Sequence, residues 1–463
     1  MIRLYDTARG EVRDLSLRSP GRVSMYVCGP TVDNLPHLGH GRFTLVWDVA
    51  RRWFTFQGLS VHYVSNITDV DDKIIARASR EARSEADVVA QYEAKWWDAM
   101  DRLGVARPDD APHATHYVED MVELIASFLE RDVAYATSDG VYFDVTSVPD
   151  YGLLAGQPLE SLRAGARIEA NDEKRSPLDF ALWKNAKPDE PSWPAPFGAG
   201  RPGWHTECVV MALDLLGEDF DLHCGGLDLK FPHHENERAQ AEAAHKGFAR
   251  HWSHNGWVMV GDEKMSKSLG NFTSLTDLLA TTDPRAYRLL VLRSHYRSPI
   301  DVKPTTIADA ERALSRLDAL ARRFELPVRG GEDFELAASH AWEDESRELF
   351  DRVVTAMNDD LNTPLAVAEL FDAVSVANAL ADEGHEASAH RLAQSVGALF
   401  GALGLSLLAG SHVADEVTQT LVLERDAARL AKNWAEADRL RDALVERGWI
   451  VEDGASGTLI RRL

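Results

Sequence analysis

A strand–helix–strand pattern near the amino terminus places the tightest limit on the fold of this chain. Residues 23–27 form an apolar run typical of a buried strand, and a Gly-Pro pair follows shortly after it. Apolar residues then recur at helical spacing over 40–58, and a second strand-like run follows at 61–64. A crossover helix between two strands implies a parallel sheet, which binds ligands at the carboxyl ends of its strands. We therefore predict an α/β fold with a Rossmann-type nucleotide-binding domain.

The rest of the chain predicts an insertion in this domain and a helical carboxyl-terminal region. Helical patterns at 84–103 and 115–131 precede a hairpin-like stretch around 141–143. Residues 177–202 hold six prolines, which argue against a helix or a central strand, so we predict a loop-rich insertion there. Strand–helix alternation resumes over 204–260, and the chain is almost wholly helical in pattern from about 284 onward.

Composition limits the cellular setting and the possible partners. No apolar run approaches the roughly 20 residues that span a bilayer, and the amino terminus lacks the pattern of an export signal. Three cysteines cannot build a disulfide framework and suit a reducing cytoplasm, where they are free to bind metal. The net charge of −24 argues against generic nucleic-acid binding. The segment 421–463 is an exception, because it carries eight basic and eight acidic residues.

Two short motifs predict phosphate chemistry. In His37-Leu38-Gly39-His40, imidazoles flank a glycine at a helix start, where a nucleotide can approach the backbone and phosphate oxygens can accept hydrogen bonds. Lys264-Met265-Ser266-Lys267-Ser268 adds two ammonium groups on a glycine-flanked loop. Either motif alone is also typical of an ordinary solvated surface. Together they resemble the paired signature of class I aminoacyl-tRNA synthetases. The resemblance implies that His37, Gly39, His40, Lys264 and Lys267 bind ATP, and that the histidines and lysines are catalytic.

A third constellation has the composition of a metal site. Cys28 follows the first predicted strand, and Cys208 lies in a separate segment. His233 and Glu237 are four residues apart, hence on one face of a helix whose first turn suits Pro232. Two thiolates, an imidazole and a carboxylate form a plausible zinc set. Spacing alone also allows Cys28 to be a small buried hydrophobic residue, and His233 and Glu237 to be a hydrogen-bonded pair on a helix surface.

Nearly the whole chain, from Leu4 to Leu459, resembles bacterial cysteinyl-tRNA synthetases. The segments that carry the resemblance are 25–31, 66–73, 203–208, 231–237 and the stretch from 261 through the lysine motif. The resemblance implies that Cys28, Cys208, His233 and Glu237 hold one zinc ion, which the substrate thiol joins. It also implies that Trp204 closes over the substrate and that Thr68 and His223 line the pocket. Zinc would select cysteine over serine, because a pocket of the right shape separates such near-isosteres by only about 10²-fold or less.

The same resemblance implies a partition of the chain and a set of partners. The predicted regions are the first half of the Rossmann domain (1–115), a connective insertion (116–203), the second half of the Rossmann domain (204–260), the lysine-motif loop with a stem-contact region (261–325), a helical bundle (326–410) and an anticodon-binding tail (411–463). The predicted partners are L-cysteine, ATP with Mg²⁺, and tRNA(Cys), with no membrane and a monomeric chain. In the tail, an amphipathic helix over 424–447 packs through Leu430, Leu440 and Leu444 and offers four anticodon contacts. These are Arg429, Trp434, Asp438 and Arg441.

Two rival functions and one residue stay open at this point. A paralogous ligase that joins cysteine to glucosaminyl-inositol in mycothiol synthesis shares the zinc and the adenylate chemistry but has no anticodon tail. A zinc-bearing RNA-binding protein derived from a synthetase is expected to have damaged ATP motifs, whereas both histidines and both lysines are present here. Cys224 stands where the family commonly has glycine, and we interpret it as a bystander to the metal site.

Overall fold

A computed structural model of the chain describes residues 2–157, 173–188, 190–260, 263–264, 274–326, 345–408, 416–454 and 457–462. Its strands, in chain order, are β1 (Arg3–Asp6), β2 (Glu11–Asp14), β3 (Arg22–Val27), β4 (Ser60–Val64), β5 (Ala134–Ala136), β6 (Gly140–Phe143), β7 (Phe180–Asn185), β8 (Gly200–Pro202), β9 (Leu222–Gly226), β10 (Trp252–Asn255), β11 (Val258–Val260), β12 (Glu263–Lys264), β13 (Ile300–Asp301), β14 (Trp449–Gly454) and β15 (Gly457–Arg462). Its helices are α1 (Leu38–Phe56), α2 (Asp72–Glu81), α3 (Glu85–Arg102), α4 (Val118–Glu130), α5 (Trp204–Leu216), α6 (Glu235–Ala243), α7 (Leu275–Thr281), α8 (Pro284–Leu292), α9 (Pro304–Arg323), α10 (Glu345–Asn358), α11 (Thr363–Asp382), α12 (Glu386–Ala402), α13 (Glu416–Leu430) and α14 (Trp434–Glu446).

The central sheet confirms the predicted Rossmann-type fold. Its four strands run in the order β10-β9-β3-β4, and each neighbouring pair is parallel. From β3 the chain passes through α1 to β4, at one edge of the sheet. From β9 it passes through α6 to β10, at the opposite edge. The strand order therefore switches direction between β3 and β9. In open α/β sheets such a switch leaves a crevice at the carboxyl ends of the strands, and ligands bind there.

The connective insertion contains more regular structure than its prolines predicted. Strands β5, β6, β7 and β8 form an antiparallel sheet in that order, so β7 is a central strand. The prediction that 177–202 has no central strand is therefore wrong. A proline removes a ladder donor only at its own position, and the run Phe180–Asn185 contains none. Pro202 closes β8, which lies at the edge of the sheet, where a missing donor is tolerated.

The tail also departs from its prediction. The single helix expected over 424–447 is two helices, because Lys432 adopts a left-handed φ of 54° and Asn433 caps α14 through its side chain. Leu430 was predicted to pack, but its exposed fraction is 86%, whereas Leu440 and Leu444 are buried. After α14 the chain forms the antiparallel hairpin β14–β15. The carboxyl-terminal region is thus less purely helical than its pattern indicated.

Among the described residues, one helix has the length and apolar composition to cross a membrane, which the sequence analysis did not anticipate. This helix is α11. It packs between α10 and α12 in the helical bundle, where Leu370, Ala373 and Ala377 are buried. Buried helices at the core of a globular domain commonly have the same composition. The finding is therefore weak evidence for membrane insertion.

Candidate metal centre and nucleotide site

The structure brings the four predicted zinc ligands together at the carboxyl ends of the central strands. Cys28 comes directly after β3, and Cys208 lies on the second turn of α5. The side chain of His233, just before α6, reaches the same point as that of Glu237 in the first turn of α6. All four residues are buried. The donor atoms come from three separate segments and meet within 4.8 Å of one another.

Three of four distances between the donor atoms match those around a tetrahedral ion, and the fourth, between His233 and Glu237, is shorter. Cys28 Sγ lies 3.7 Å from Cys208 Sγ and 3.5 Å from Glu237 Oε1. His233 Nε2 lies 3.6 Å from Cys208 Sγ and 3.0 Å from Glu237 Oε1. Ligands bonded to zinc at roughly 2.0–2.3 Å in a tetrahedron lie about 3.3–3.8 Å apart. The geometry therefore suits a divalent ion with two sulfur ligands, one nitrogen and one oxygen.

Burial disfavours the charged forms of all four donor groups. Burial raises the pKa of Cys28 well above its ordinary value and raises that of Cys208 to about 11. Burial also raises the pKa of Glu237, and it lowers the pKa of His233 well below its ordinary value. Charged side chains are costly here because little water reaches them. A bound divalent cation reverses that preference, since it stabilises thiolates and carboxylate and needs the neutral imidazole.

A surrounding layer of polar side chains orients the donors, and sequence reasoning missed most of it. His205 Nδ1 lies 2.8 Å from His233 Nδ1, so the two rings share one proton and leave Nε2 of His233 facing the thiols. His223 Nε2 lies 2.7 Å from Glu237 Oε2. Such partners fix the orientation of metal ligands. The available signal was proximity in sequence, because His205 precedes Cys208 by three residues.

A second group of donors overlaps the first. Cys28 and Glu237 also lie within reach of His223 and His234. His234 Nδ1 is 2.9 Å from His254 Nε2, and His223 Nε2 is 2.7 Å from Glu237 Oε2. The other nitrogen of each ring is buried and has no hydrogen-bond partner among the described residues. The first group has two thiols and better suits zinc. Neither group includes Cys224, a buried residue of β9, in keeping with its interpretation as a bystander.

The predicted substrate residues lie around the cluster. The indole of Trp204 stacks on His233, with ring centroids 4.1 Å apart, and Lys73 Nζ lies 5.7 Å from the indole centroid. Thr68 is buried and donates to Glu207 Oε2 at 2.9 Å. His223 contacts the ligand set directly, through Glu237. The structure thus gathers Trp204, Thr68 and His223 at one place, next to the metal ligands.

Gly29 lets two strand ends approach closely beside the metal ligands. A Cβ at this position would lie 1.7 Å from the carbonyl oxygen of Asn66, so backbone would have to move. We expect Gly29→Ala to destabilise the protein by at least about 1–3 kcal/mol and to lower its metal content, since Cys28 is the neighbouring residue. Thermal denaturation and metal analysis measure both effects. Gly397→Ala, within α12, is the matched control. Its Cβ would meet the Leu326 side chain at 3.4 Å. Because alanine favours a helix more than glycine does, the melting temperature should stay the same or rise. Unchanged stability and metal content in Gly29→Ala would contradict this prediction.

The histidine motif forms the amino-terminal cap of α1. His37 Nδ1 accepts from the backbone N–H of His40, and His40 Nδ1 accepts from that of His37, both at 3.2 Å. The two rings stack with centroids 3.6 Å apart. Because both Nδ1 atoms accept, each neutral ring carries its proton on Nε2, which is then a donor. In the lysine motif, Lys264 belongs to β12, and its backbone pairs with that of Met259 in β11. Its side chain, and the whole of Lys267, lie outside what the structure describes.

Comparisons with known proteins identify the family. A family model described as "tRNA synthetases class I (C) catalytic domain" matches residues 15–312, and a DALR domain model matches residues 352–408. A cysteine–tRNA ligase of Methylobacillus flagellatus is 45% identical over 474 residues, and one of Nitrosomonas europaea is 44% identical over 476. Both alignments cover 100% of this chain and of the relative. The chain belongs to the cysteine–tRNA ligase family. This membership confirms the resemblance to bacterial cysteinyl-tRNA synthetases and does not favour the mycothiol ligase.

Solved structures of other class I synthetases share the fold of this family member. A methionyl-tRNA synthetase of Mycobacterium tuberculosis in complex with methionyl-adenylate has a TM-score of 0.60 at 14% identity. That alignment covers 82% of this chain and 89% of the other. At such low identity the likeness establishes the fold alone, namely a Rossmann-type catalytic domain followed by helices.

Proposed function

We propose that this protein ligates L-cysteine to tRNA(Cys) at the expense of ATP, through a cysteinyl-adenylate intermediate. One observation carries the proposal: a buried cluster with two thiols lies at the carboxyl ends of the central strands, where α/β sheets bind their ligands. A nucleotide-type sheet alone would not indicate which amino acid is activated. A sulfur-rich donor set does, because it suits a substrate whose own side chain is a soft sulfur ligand.

We propose that Cys28, Cys208, His233 and Glu237 hold one zinc ion. Bound there, zinc would supply a coordination position that takes a thiolate far better than a serine hydroxyl. The protein's part is to orient the substrate beside it. Trp204, which stacks on His233, would lie beside the bound substrate. The hydroxyl of Thr68 and the ring of His223, both buried, would contact the rest of the amino acid.

The adenylate step needs positioning and charge stabilisation more than a covalent nucleophile. The cysteine carboxylate attacks the α-phosphorus of ATP, which forms cysteinyl-adenylate and releases pyrophosphate. His37 and His40 donate from Nε2 to phosphate oxygens, and the backbone at Gly39 lets the nucleotide approach the start of α1. Lys264 and Lys267 supply positive charge to the phosphates, and Mg²⁺ accompanies ATP.

In the transfer step, a terminal ribose hydroxyl of tRNA attacks the activated carbonyl and releases AMP. We propose that 411–463 is the anticodon-binding tail. Trp434, Asp438 and Arg441 lie at positions i, i+4 and i+7 of α14, hence on one face, and all three are exposed. Arg429 lies near the end of α13, one short turn away. We expect the protein to act as a cytoplasmic monomer.

The exposed indole of Trp434, with an exposed fraction of 60%, is expected to stack on an unpaired base. Losing such a stack costs about 1–3 kcal/mol, so Trp434→Ala should raise the KM for tRNA by about five- to a hundredfold. Cysteine-dependent ATP–pyrophosphate exchange should stay unchanged. Arg441→Ala should weaken tRNA charging as well, whereas its matched control Arg439→Ala, on another face of the same helix, should not. A normal KM for tRNA in Trp434→Ala would remove this residue from the tRNA interface.

Cysteine-dependent ATP–pyrophosphate exchange, repeated as aminoacylation of tRNA(Cys), tests the function. We expect exchange with cysteine, little with serine, and charging of tRNA(Cys). Exchange that leads to ligation of glucosaminyl-inositol but not to charging would overturn the proposal in favour of the mycothiol ligase. Failure of exchange in a correctly folded, metal-loaded protein would indicate a binding protein.

A further inference from the structure

The strand that leads into the lysine motif is held by a buried arginine of the histidine-motif helix. Arg42 lies two residues beyond His40 in α1 and is fully buried. Its Nη1 donates to the carbonyl of Trp257 at 2.6 Å, immediately before β11. From β11 the chain continues to β12, which contains Lys264. Arg42 therefore connects the helix of one ATP motif to the strand of the other.

The same guanidinium also binds the segment 295–298, which follows α8. Nη2 of Arg42 donates to the carbonyls of Tyr296 at 3.1 Å and Ser298, with a longer contact of 3.4 Å to that of His295. Burial lowers the pKa of Arg42 to about 10, so the group stays charged at neutral pH. A charged, planar group with several fixed donors can hold two loops at once in a defined geometry.

The segment 295–298 is itself fixed from the other side. Asp360, in the turn between α10 and α11, accepts from the hydroxyl of Tyr296 at 2.7 Å and from Nε of Arg297 at 2.7 Å. The backbone N–H of Gly256 donates to the carbonyl of Tyr296 at 2.8 Å. The segment whose carbonyls bind Arg42 is therefore itself fixed, so Arg42 holds β11 in a defined place relative to that segment.

The chain beyond the lysine motif is tied to the start of the same helix. The backbone N–H of Leu275 donates to the carbonyl of Pro36 at 2.9 Å, and His37 pairs with Ser274. The hydroxyl of Tyr287 donates to the carbonyl of Leu38 at 2.6 Å. Residues before and after the motif are therefore both fastened to α1, the former through Arg42.

We propose that Arg42 is a positioning residue for adenylate formation, which sets the place of the strand carrying Lys264 relative to the histidines of α1. The inference rests on the proposed function, which assigns both the histidine motif and the lysine motif to ATP binding. Arg42 touches no reacting atom. Loss of the Arg42 guanidinium should lower kcat/KM for ATP. It should leave cysteine binding unchanged, because the metal cluster is assembled by β3, α5 and α6.

Arg42→Lys tests the proposal, because one ammonium on a flexible stem cannot hold both loops. We expect kcat/KM for ATP in pyrophosphate exchange to fall by about 10- to 100-fold, the loss that a misplacement of about 1 Å causes. The KM for cysteine and the metal content should change by less than about twofold. Arg52→Lys is the matched control, since Arg52 is buried in the same helix but binds Asp48 and the carbonyl of Gly104. At a comparable fall in melting temperature, Arg52→Lys should leave kcat/KM for ATP within about twofold.

Gly256→Ala provides an independent test that leaves Arg42 intact. A Cβ on Gly256 would lie 2.6 Å from the carbonyl oxygens of Arg297 and Ser298, so it should push 295–298 away from β11. Gly256→Ala should reproduce the selective fall in kcat/KM for ATP, even if Arg42→Lys fails to fold. An equal loss toward ATP and cysteine, or no loss toward ATP in a folded variant, would overturn the proposal. Absence of exchange in the unsubstituted protein would instead refute the proposed function.

Discussion

Replacing Cys208 with alanine should remove the metal ion and most of the preference for cysteine. Cys208 Sγ lies 3.7 Å from Cys28 Sγ and 3.6 Å from His233 Nε2, so three donors would remain around a gap. Changing residues that only support metal ligands already costs about 10- to 100-fold in affinity, and losing a ligand should cost at least that much. Metal analysis of the purified variant should show a fall from about one equivalent to a small fraction.

The selectivity of the variant tells metal recognition apart from recognition by shape. Without the ion, discrimination between cysteine and serine should fall to about 10²-fold or less in pyrophosphate exchange, the limit for near-isosteres in a fitted pocket. Cys224→Ala is the matched control, because its thiol is equally buried, on β9, but belongs to neither donor group. It should retain both metal and selectivity. Full metal occupancy in Cys208→Ala would refute the assignment of this ligand.

The sequence predicted best what depends on local pattern. Alternating strand and helix runs predicted β3, α1 and β4. The i, i+4 spacing of His233 and Glu237 predicted that their side chains meet, and the donor atoms do lie 3.0 Å apart. The helix predicted to start at Pro232 begins instead at Glu235, so His233 precedes it. Convergence of Cys28 and Cys208 was harder to derive, because 180 residues separate them. Only the fold, with its crevice at the strand ends, brings such distant positions together, and the family resemblance supplied that information.

The features that were missed depend on single backbone positions or on distant partners. Prolines made 177–202 resemble a loop, although they leave Phe180–Asn185 free to form β7. One left-handed residue, Lys432, divides the predicted tail helix. This break leaves Leu430 exposed despite its helical spacing. The carbonyls that bind Arg42 lie more than 200 residues away along the chain, and no pattern around α1 indicates them.

A buried charge network centred on α1 should make Asp48 one of the most sensitive positions for stability. Asp48 Oδ2 accepts from Arg52 Nε at 2.8 Å and from Arg288 Nη1 at 2.7 Å, and all three side chains are almost fully buried. Arg288 also donates to the carbonyls of Leu103 and Gly104. The network thus joins α1 to α8 and to the end of α3. Two buried guanidinium groups therefore share the Asp48 carboxylate.

Asp48→Asn should therefore destabilise the protein by about 3–5 kcal/mol at neutral pH, since it removes a buried negative charge that contacts two buried guanidinium groups. Asp359→Asn, which breaks the exposed pair with Arg3, is the control and should cost no more than about 1 kcal/mol. Burial alone would raise the pKa of Asp48, but Arg288 and Arg52 outweigh it and hold the pKa below its ordinary value. The carboxylate therefore stabilises the fold above its unfolded pKa of about 4, and this contribution is lost as pH falls through the lower folded pKa. The difference in unfolding free energy between the unsubstituted protein and Asp48→Asn should shrink over that acidic range. A difference that is small at pH 7, or that does not depend on pH, would show that the network contributes little to stability.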